Sequence, residues 1–427
     1  MLRRFSAYGF LKNQRYHEPF FVLALVEQGL SFLELGLLIA TREVVLNLLE
    51  IPSGVIADLF GRRRCMVASF MAYLCALVLF ASAPGLALLY LAMVLYALGD
   101  AFRSGTHKAM IFAWLRAEGR EADKAEVYGY TRSWSKRGTA IAALVGAVLA
   151  IGVGEFTLVF WFTLIPYVLN LANLASYPRW LDGSASARER GSLGQSLRAA
   201  GRGISSALRR RGLRRLLAES MAFRGSHELT RSYLQPLVET SVLALPIVAL
   251  ASGSLGEEPA AFRTTAITLG LVYFALGLIE SAASRRAGAL AKRHGELRAT
   301  TRWLWRANAL GYGLMLATLL AGFPIIAMLV FVVQTGVLNN LFRPVQLARF
   351  DAHTPAQLQA TILSAESQAK ALFVALLAPV VGLLMDHGVA SGSPGLALWP
   401  LAALGLVLAL IFSLLGPAPV AAQSQGK

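Results

Sequence analysis

The chain has 427 residues, of which 56% are hydrophobic and only 15% are charged. A soluble protein of this length could not cover so much apolar surface with polar side chains, so the composition indicates a polytopic membrane protein. The formal net charge of +16 argues for cytoplasmic loops rather than nucleic-acid binding, because the basic residues recur in short clusters between apolar runs.

Twelve apolar runs of about 20 residues, each long enough to cross a bilayer core of roughly 30 Å, follow one another along the chain. The sequence therefore predicts an all-α integral membrane protein with twelve transmembrane helices. The predicted spans are 11–29, 33–58, 64–82, 86–114, 125–151, 156–178, 214–245, 262–290, 300–320, 324–349, 357–385 and 396–416. The first span begins among charged residues, which blurs its start.

The connections between the predicted spans alternate in charge. One set, which includes "SAPGL", "IGVGE" and "AGFP", contains no Lys or Arg, whereas the other set carries clusters such as Arg62–Arg64. Basic connections stay in the cytoplasm of bacterial and eukaryotic membrane proteins. We therefore expect a multi-pass protein of the plasma (inner) membrane with both termini in the cytoplasm.

The longest internal connection divides the spans into two groups of six. This division gives an N-terminal half at 1–179, a cytoplasmic central loop at 180–213 and a C-terminal half at 214–427. Apolar residues at helical spacing, with arginines between them, favour an amphipathic helix on the inner leaflet, although a disordered glycine-rich linker would also fit. The apolar positions are Leu193, Leu197, Ala200, Ile204 and Leu208.

Two short patterns recur between the halves. The segment 54–61 resembles 288–295, and the Phe-Arg pair at 102–103 resembles the Phe-Arg pair at 342–343. The separations are 234 and 240 residues, which agree to within a small insertion. Two matches at nearly one offset predict two six-helix halves related by pseudo-two-fold symmetry.

The stretch "EIPSGVIADLFGRRR" at 50–64 ends the second predicted span. Its glycines permit a tight turn, and its arginines stop translocation among the lipid headgroups. The stretch resembles the signature G-x-(L/I)-A-D-x-x-G-R-(R/K) of the major facilitator superfamily of secondary transporters. The matching residues are Gly54, Asp58, Gly61, Arg62 and Arg63. Together with the span count, the central loop and the recurrent patterns, the resemblance covers essentially the whole chain.

The resemblance implies that these five residues form a cytoplasmic latch that holds one conformation. Asp58 ends the second span, where an acid is poorly placed for the dipole of its own helix, so we expect it to serve a partner. A stop-transfer turn without a switching role is the alternative. The stretch also departs from the signature at Leu59, where a basic residue is often found.

Polar residues share helix faces inside three of the predicted spans. An unpaired charge at the bilayer centre costs about 2.5–3.5 kcal/mol, so these residues should face a water-filled cavity or one another. Spacings of three, four and seven residues place them on one face of each helix. The stripes are Asp100, Arg103 and His107 in the fourth span, Arg224, Glu228 and Arg231 in the seventh, and Asn339, Arg343 and Gln346 in the tenth.

The resemblance implies that the first, fourth, seventh and tenth helices line a central cavity, so Glu27 near the outer end of the first helix is a further candidate. Glu366 and Lys370, four residues apart in the eleventh span, are predicted to form a structural ion pair. Internal ion pairing and snorkelling to the interface, the latter for Arg132 and Arg231, are the alternatives to ligand binding.

The sequence contains no phosphate-binding loop, no nucleophile elbow and no pattern of metal ligands, so it predicts neither an enzyme nor a cofactor. We expect a monomeric, proton-coupled transporter of a small anionic or amphipathic organic molecule, with export favoured over import. Arg103 and Arg343 are the expected anion ligands, and Glu228 or Asp100 the expected proton carrier. An uncoupled facilitator and a receptor or scaffold that kept the fold without transport are the alternatives.

Overall fold

The computed structural model describes residues 1–82, 85–182, 211–245, 257–293, 297–354, 359–390 and 397–417. Within these ranges the chain is helical, with short turns and no β-strand. Most of the central loop, including the predicted amphipathic helix at 193–208, lies outside the described residues.

The predicted N-terminal half contains eight helical segments. They are α1 (Leu2–Leu11), α2 (Phe21–Glu27), α3 (Phe32–Phe60), α4 (Arg62–Ser82), α5 (Leu86–Arg103), α6 (Thr106–Ala117), α7 (Lys124–Val153) and α8 (Val159–Ala175). Short 3-10 turns follow the same path at Glu18–Phe20, Glu121–Asp123 and Arg179–Asp182. The helix begins at Leu2 rather than at residue 11 and includes Arg3 and Arg4, and the chain leaves the helix at residues 12–17.

The described residues of the remaining chain form eight more segments. They are α9 (Arg211–Ser232), α10 (Leu234–Leu243), α11 (Glu257–Arg293), α12 (Leu297–Leu320), α13 (Pro324–Val333), α14 (Asn339–His353), α15 (Gln359–Ala390) and α16 (Trp399–Leu415). A π-helical segment, Gln334–Leu338, joins α13 to α14. Each of the twelve predicted spans thus contains helix, and six of the described helical stretches are long and apolar enough by themselves to cross a bilayer.

The first, fourth, seventh and tenth spans depart from regular α-helix among the described residues. The chain leaves the helix between α1 and α2, at Gly105 between α5 and α6 and at Tyr233 between α9 and α10, whereas the tenth span stays helical and widens into the π segment. Gly105 has a φ of 75°, which favours glycine. Pro236 explains the break at Tyr233, because it cannot donate to the carbonyl of Ser232 and its ring crowds that carbonyl.

The chain separates into two compact units. The first takes the described residues of Met1–Leu30, Thr41–Arg198 and Ser252–Phe274, and the second takes those of Ser31–Ala40, Ala199–Ala251 and Ala275–Lys427. The start of α3 therefore groups with the second unit, and the start of α11 groups with the first.

Aromatic side chains fill the core of the first unit. The ring of Tyr73 on α4 lies 5.5 Å from the ring of Phe70, 5.1 Å from that of Tyr96 and 5.5 Å from that of Tyr167. These edge-on contacts join α4, α5 and α8 and fix the position of the Tyr73 hydroxyl. In the second unit, Phe223 on α9 stacks on Phe342 of α14 at 3.9 Å.

The start of α3 is closely held within the second unit. Ser31 and Glu34 form a capping box, since the Glu34 carboxylate accepts from the Ser31 N–H at 2.9 Å and the Ser31 hydroxyl accepts from the Glu34 N–H at 3.2 Å. Asp386 on α15 accepts from the N–H groups of Phe32 at 2.8 Å and Leu33 at 2.9 Å. A carboxylate from another helix thus satisfies two of the free donors at this helix start.

Two glycines allow this segment to approach α15. A Cβ atom added at Gly36 would collide with the backbone of Ala378, and one added at Gly382 would collide with the backbone of Phe32. Small residues at helix contacts let backbones come close in membranes, where packing replaces the hydrophobic effect. Glycine is therefore required at both positions.

Candidate functional site

The predicted latch sits where α3 turns into α4. Gly61 has a φ of 106°, and a Cβ atom there would lie 2.7 Å from the Asp182 carboxylate oxygen. Both the backbone angle and the close approach require glycine at this position. Gly54 lies within α3, and a Cβ atom there would meet nothing within 4 Å, so no steric demand for glycine is visible at Gly54.

Asp58 contacts its own neighbour in the turn. Its carboxylate accepts from the Nε of Arg62 at 3.0 Å, and its side chain is 51% exposed. The acid at the start of α4 is instead Asp182, whose carboxylate accepts from the Arg64 N–H at 3.1 Å and lies 3.5 Å from the Arg63 Nε. Sequence analysis missed Asp182, because its place beside α4 depends on the return of the chain after α8.

Asp100 is the centre of a charged cluster in the first unit. Its carboxylate lies 2.9 Å from a terminal nitrogen of Arg103, 2.7 Å from one of Arg42 and 3.6 Å from one of Arg15. The Tyr73 hydroxyl donates to the same carboxylate at 2.5 Å. Three guanidinium groups, from α3, α5 and the turn after α1, therefore share one buried acid.

This cluster extends the predicted stripe of the fourth span. The Nε of Arg103 donates to the Tyr73 hydroxyl at 2.9 Å, and Arg42 also contacts Glu43 at 3.0 Å. The sequence placed Asp100 and Arg103 on one face but missed Arg15 and Arg42 as their partners. Their signal was present, since each is a charge within or beside an apolar span.

His107, the third stripe residue, is buried among aromatic rings. Its ring stacks on that of Tyr8 at 3.7 Å and 20°, and its Nε2 lies 3.4 Å from the Tyr177 hydroxyl. The break at Gly105 separates it from the Asp100 cluster, so the three stripe residues do not form one continuous face.

Glu27 has a structural position outside the stripes. Its carboxylate accepts hydrogen bonds at 3.1 Å from the N–H groups of both Phe156 and Thr157, in the turn before α8. It therefore ties α2 to the turn before α8, and its place in a cavity-lining stripe stays a prediction.

Glu366 is the buried acid of the second unit. Its side chain is 1% exposed, and its carboxylate contacts Arg343 of α14 and Arg224 of α9, the latter at 3.2 Å. The Ser220 hydroxyl donates to the same carboxylate. Glu366 thus links α9, α14 and α15. Its arginine partners come from two neighbouring helices rather than from its own helix.

Lys370 reaches another carboxylate. Its Nζ lies 3.6 Å from the Glu228 carboxylate on α9. The predicted structural pair of Glu366 with Lys370 is therefore corrected: both residues make their ion pairs with other helices. Arg231, the last residue of the α9 stripe, contacts Glu280 of α11 at 2.6 Å.

The residues of the tenth-span stripe lie in different environments. Asn339 is partly buried at the first turn of α14, whereas the Gln346 amide is fully buried and donates to the Leu216 carbonyl at 3.0 Å. One turn further on, Arg349 contacts Glu219 of α9 at 2.6 Å, with exposures of 0% and 1%. This buried pair was missed by sequence analysis, because both residues lie near predicted span ends, where charges are common.

A cavity of about 400 Å³ lies within the first unit between α1, the start of α6 and α7. We call it the basic cavity, because five of the described side chains that line it are cationic and none is a carboxylate. The cations are Lys12, Arg103, Lys108, Arg132 and Lys136. Tyr8 and His107 form one wall with their stacked rings.

The part of the chain that the structure describes holds no group of three His, Cys, Asp or Glu residues arranged to bind a metal ion. The charged residues of the predicted stripes form ion pairs within their own unit, and Arg103 also lines the basic cavity.

Residues 16–367 match the sequence profile of the Major Facilitator Superfamily. The chain belongs to this superfamily. It is therefore a multi-pass membrane transport protein and not an enzyme. It is 33% identical over 88 residues to the uncharacterized MFS-type transporter YxaM of Bacillus subtilis (strain 168), a match that spans 21% of this chain and 22% of that protein.

Solved structures agree in fold over nearly the whole chain. A variant of the nucleoside transporter NupG has a TM-score of 0.76 at 13% identity, with 96% of this chain and 98% of that chain covered. A POT family transporter in complex with a thioalcohol-conjugated peptide has 0.64 at 12% identity, covering 97% and 95%. A D-xylose–proton symporter has 0.60 at 14%, covering 98% and 97%. These identities establish the twelve-helix superfamily fold alone.

Proposed function

We propose that the protein is a proton-coupled secondary transporter that moves a small anionic or amphipathic organic molecule across the plasma (inner) membrane by alternating access, in the direction of export. Both termini face the cytoplasm in this proposal. The protein works as a monomer in the lipid bilayer, without a cofactor or a nucleic-acid partner. The observation that carries the coupling is the exposure of Glu228.

Glu228 differs from the other acids of the predicted stripes. Its side chain is 42% exposed, whereas those of Asp100 and Glu366 are 8% and 1% exposed. Water can therefore reach Glu228, and its partner Lys370 lies 3.6 Å away. A proton on Glu228 would release Lys370, which would link protonation to a change in contact between α9 and α15.

Asp100, the second candidate proton carrier, is less suited to this role. It contacts Arg103, Arg42 and Arg15 and accepts from Tyr73. Protonation of Asp100 would leave three guanidinium groups without a shared anion inside the membrane, which is costly. We therefore assign the coupling proton to Glu228.

The substrate assignment follows from the arginines. Arg103 and Arg343 hold related positions in the two halves, and each presents a planar fork suited to a carboxylate or phosphate. Each fork already contacts an internal acid, Asp100 or Glu366. An anionic substrate would compete with those acids for the guanidinium groups, so binding and rearrangement of the internal pairs would be linked.

The latch belongs to the same proposal. In the described structure Asp58 is half exposed and contacts Arg62 of its own turn, so its carboxylate is accessible to another partner in a different conformation. Asp58→Asn should then slow turnover while leaving folding and insertion intact. Full transport by that variant would reduce the motif to a turn.

The test uses purified full-length protein in proteoliposomes. A panel of radiolabelled organic anions is first screened by thermal shift, and each stabilising solute is then followed with and without an imposed pH gradient. We expect accumulation that depends on the gradient, and solute exchange without accumulation by Glu228→Gln. Glu280→Gln is the matched control, because Glu280 also pairs with an arginine of α9 but is only 15% exposed.

Three outcomes would contradict the proposal. Movement indifferent to the pH gradient indicates a facilitator, and binding without movement indicates a receptor that kept the fold. Accumulation that survives Glu228→Gln but not Glu280→Gln moves the proton site to Glu280.

A further inference from the structure

The basic cavity holds positive charge that the first unit leaves without carboxylate partners. Lys12, Arg132 and Lys136 line it, and none of the three forms an ion pair with a carboxylate of the described residues. Lys108 lies over the ring of Tyr128, with its Nζ 5.3 Å from the ring centroid. A contact with an aromatic face attracts a cation but does not neutralise it.

The cost of this arrangement points to an anionic ligand. Cations gathered around one cavity repel one another, and a charge without a counterion is unfavourable in a membrane protein. Among the described ion pairs, Arg103 is the one lining cation that contacts an acid, and it shares Asp100 with two other arginines. A negative ligand in the cavity would offset several of these charges together.

The backbone also contributes partial positive charge to the basic cavity. Ser104 and Gly105 line the cavity at the start of α6, a helix of 12 residues whose first turn has no side-chain cap. The first N–H groups of a helix have no intrahelical acceptor, and they carry partial positive charge. They favour anions with several oxygen atoms, phosphate above all.

We propose that the basic cavity binds a small molecule that bears a phosphate monoester group. The dianionic group matches the set of unneutralised cations, and its three oxygens suit the Arg103 fork, Lys12 and the start of α6. The volume of about 400 Å³ lies in the range of small-molecule sites. The inference rests on the proposed function only in taking this ligand to be the transported solute.

Such a group has two sources at this place in a membrane protein. It is carried by a soluble phosphate ester or by the headgroup of phosphatidic acid. The recognition chemistry is the same in both cases, so the experiment separates the sources by leaving the lipid out.

The first arm uses full-length protein in nanodiscs of phosphatidylcholine alone, with phenyl phosphate as the probe and phenol as its uncharged counterpart. Phenyl phosphate should bind by calorimetry, more weakly as salt rises, and phenol should not. Arg132→Gln and Lys136→Gln should each weaken binding roughly tenfold, the loss of one charge-assisted contact. Arg137→Gln is the matched control, because Arg137 adjoins Lys136 but lies over the Trp134 ring at 5.0 Å.

The second arm adds phosphatidic acid to the nanodiscs and omits the probe. If the lipid alone raises the unfolding temperature, and Arg132→Gln removes that rise while Arg137→Gln keeps it, the headgroup is the ligand. The proposal is overturned if neither phosphate source binds, or if Arg132→Gln, Lys136→Gln and Arg137→Gln lose affinity equally. Equal loss would indicate a general effect of surface charge.

The experiments also distinguish failure of the cavity assignment from failure of the proposed transport function. Phosphate binding with no movement of any solute in proteoliposomes would retain the cavity assignment and end the proposed function. Proton-coupled movement of a solute without phosphate, by a protein that binds neither probe nor lipid phosphate, would retain the function and end the cavity assignment.

Discussion

In the second unit, Arg224, Arg343 and Lys370 each lie against a carboxylate. In the first unit, Arg132 and Lys136 line a cavity that contains none. The contrast falls on related positions of the fifth and eleventh spans. Lys136 and Lys370 are 234 residues apart, as are Arg132 and Glu366, the same separation that relates 54–61 to 288–295. Where one half places a buried acid, the other places an arginine.

This difference suggests that the charged residues of the two halves have different roles. In the second unit, Arg224, Arg343 and Lys370 lie against acids of other helices. These pairs can hold helices together and exchange partners when a proton arrives. The first unit carries surplus charge, so a ligand can complete it. The predictions that follow ask whether the pairing in one unit and the surplus in the other are both required.

The largest effect is expected on breaking the matched pairing of the second unit. Glu366→Gln leaves Arg224 and Arg343 without their shared buried anion, so we expect a loss of about 3–5 kcal/mol of stability. Glu228→Gln, at an exposed pair, should cost no more than about 1 kcal/mol. Denaturant unfolding in detergent measures both. Similar losses of stability for the two variants would show that burial does not determine how much these ion pairs stabilise the protein.

A smaller effect is expected on giving the first unit the acid of the second. Arg132→Glu places a carboxylate one turn before Lys136, where the two can pair at i, i+4 spacing. Phenyl phosphate should then bind at least about 100-fold more weakly, since one attraction becomes a repulsion. The folded protein should be no less stable. Calorimetry and thermal unfolding report the two quantities, and unchanged affinity would show that the anion lies elsewhere.

The smallest effect compares two helix starts, one in each unit, that are capped by an acid from elsewhere in the chain. Asp182→Asn removes the charge at α4, and Asp386→Asn removes it at α3. We expect each to cost about 1 kcal/mol, because an amide oxygen still accepts but no longer complements the helix dipole. Thermal unfolding in detergent measures the loss, and a loss above that of Glu366→Gln would reverse the ranking of caps and buried pairs.

Much of the fold could be predicted, because hydropathy and charge alternation are local properties. They placed α3 and α7 to within a few residues, and the Gly61 turn followed from its motif. The start at Leu2 was missed, because Arg3, Arg4 and Lys12 lower the apolar signal of a segment that is nevertheless helical.

The candidate site was less predictable, because ion-pair partners are chosen by packing. Helical spacing put Glu366 and Lys370 on one face, which made them plausible partners. The packing of α15 against α9 then offered Glu366 two arginines and offered Lys370 the Glu228 carboxylate. Spacing within one helix carries no information on which neighbouring helix supplies the closer charge.

The π segment between α13 and α14 has a mechanical meaning. A π turn holds one residue more than an α turn, and each residue of a helix adds about 100° of rotation and about 1.5 Å of length. The Asn340 amide donates to the carbonyls of Thr335 and Gly336, so the surplus residue is pinned there. If the π turn moved along the helix, α14 and its Arg343 would rotate about the helix axis, and the span would remain one continuous helix.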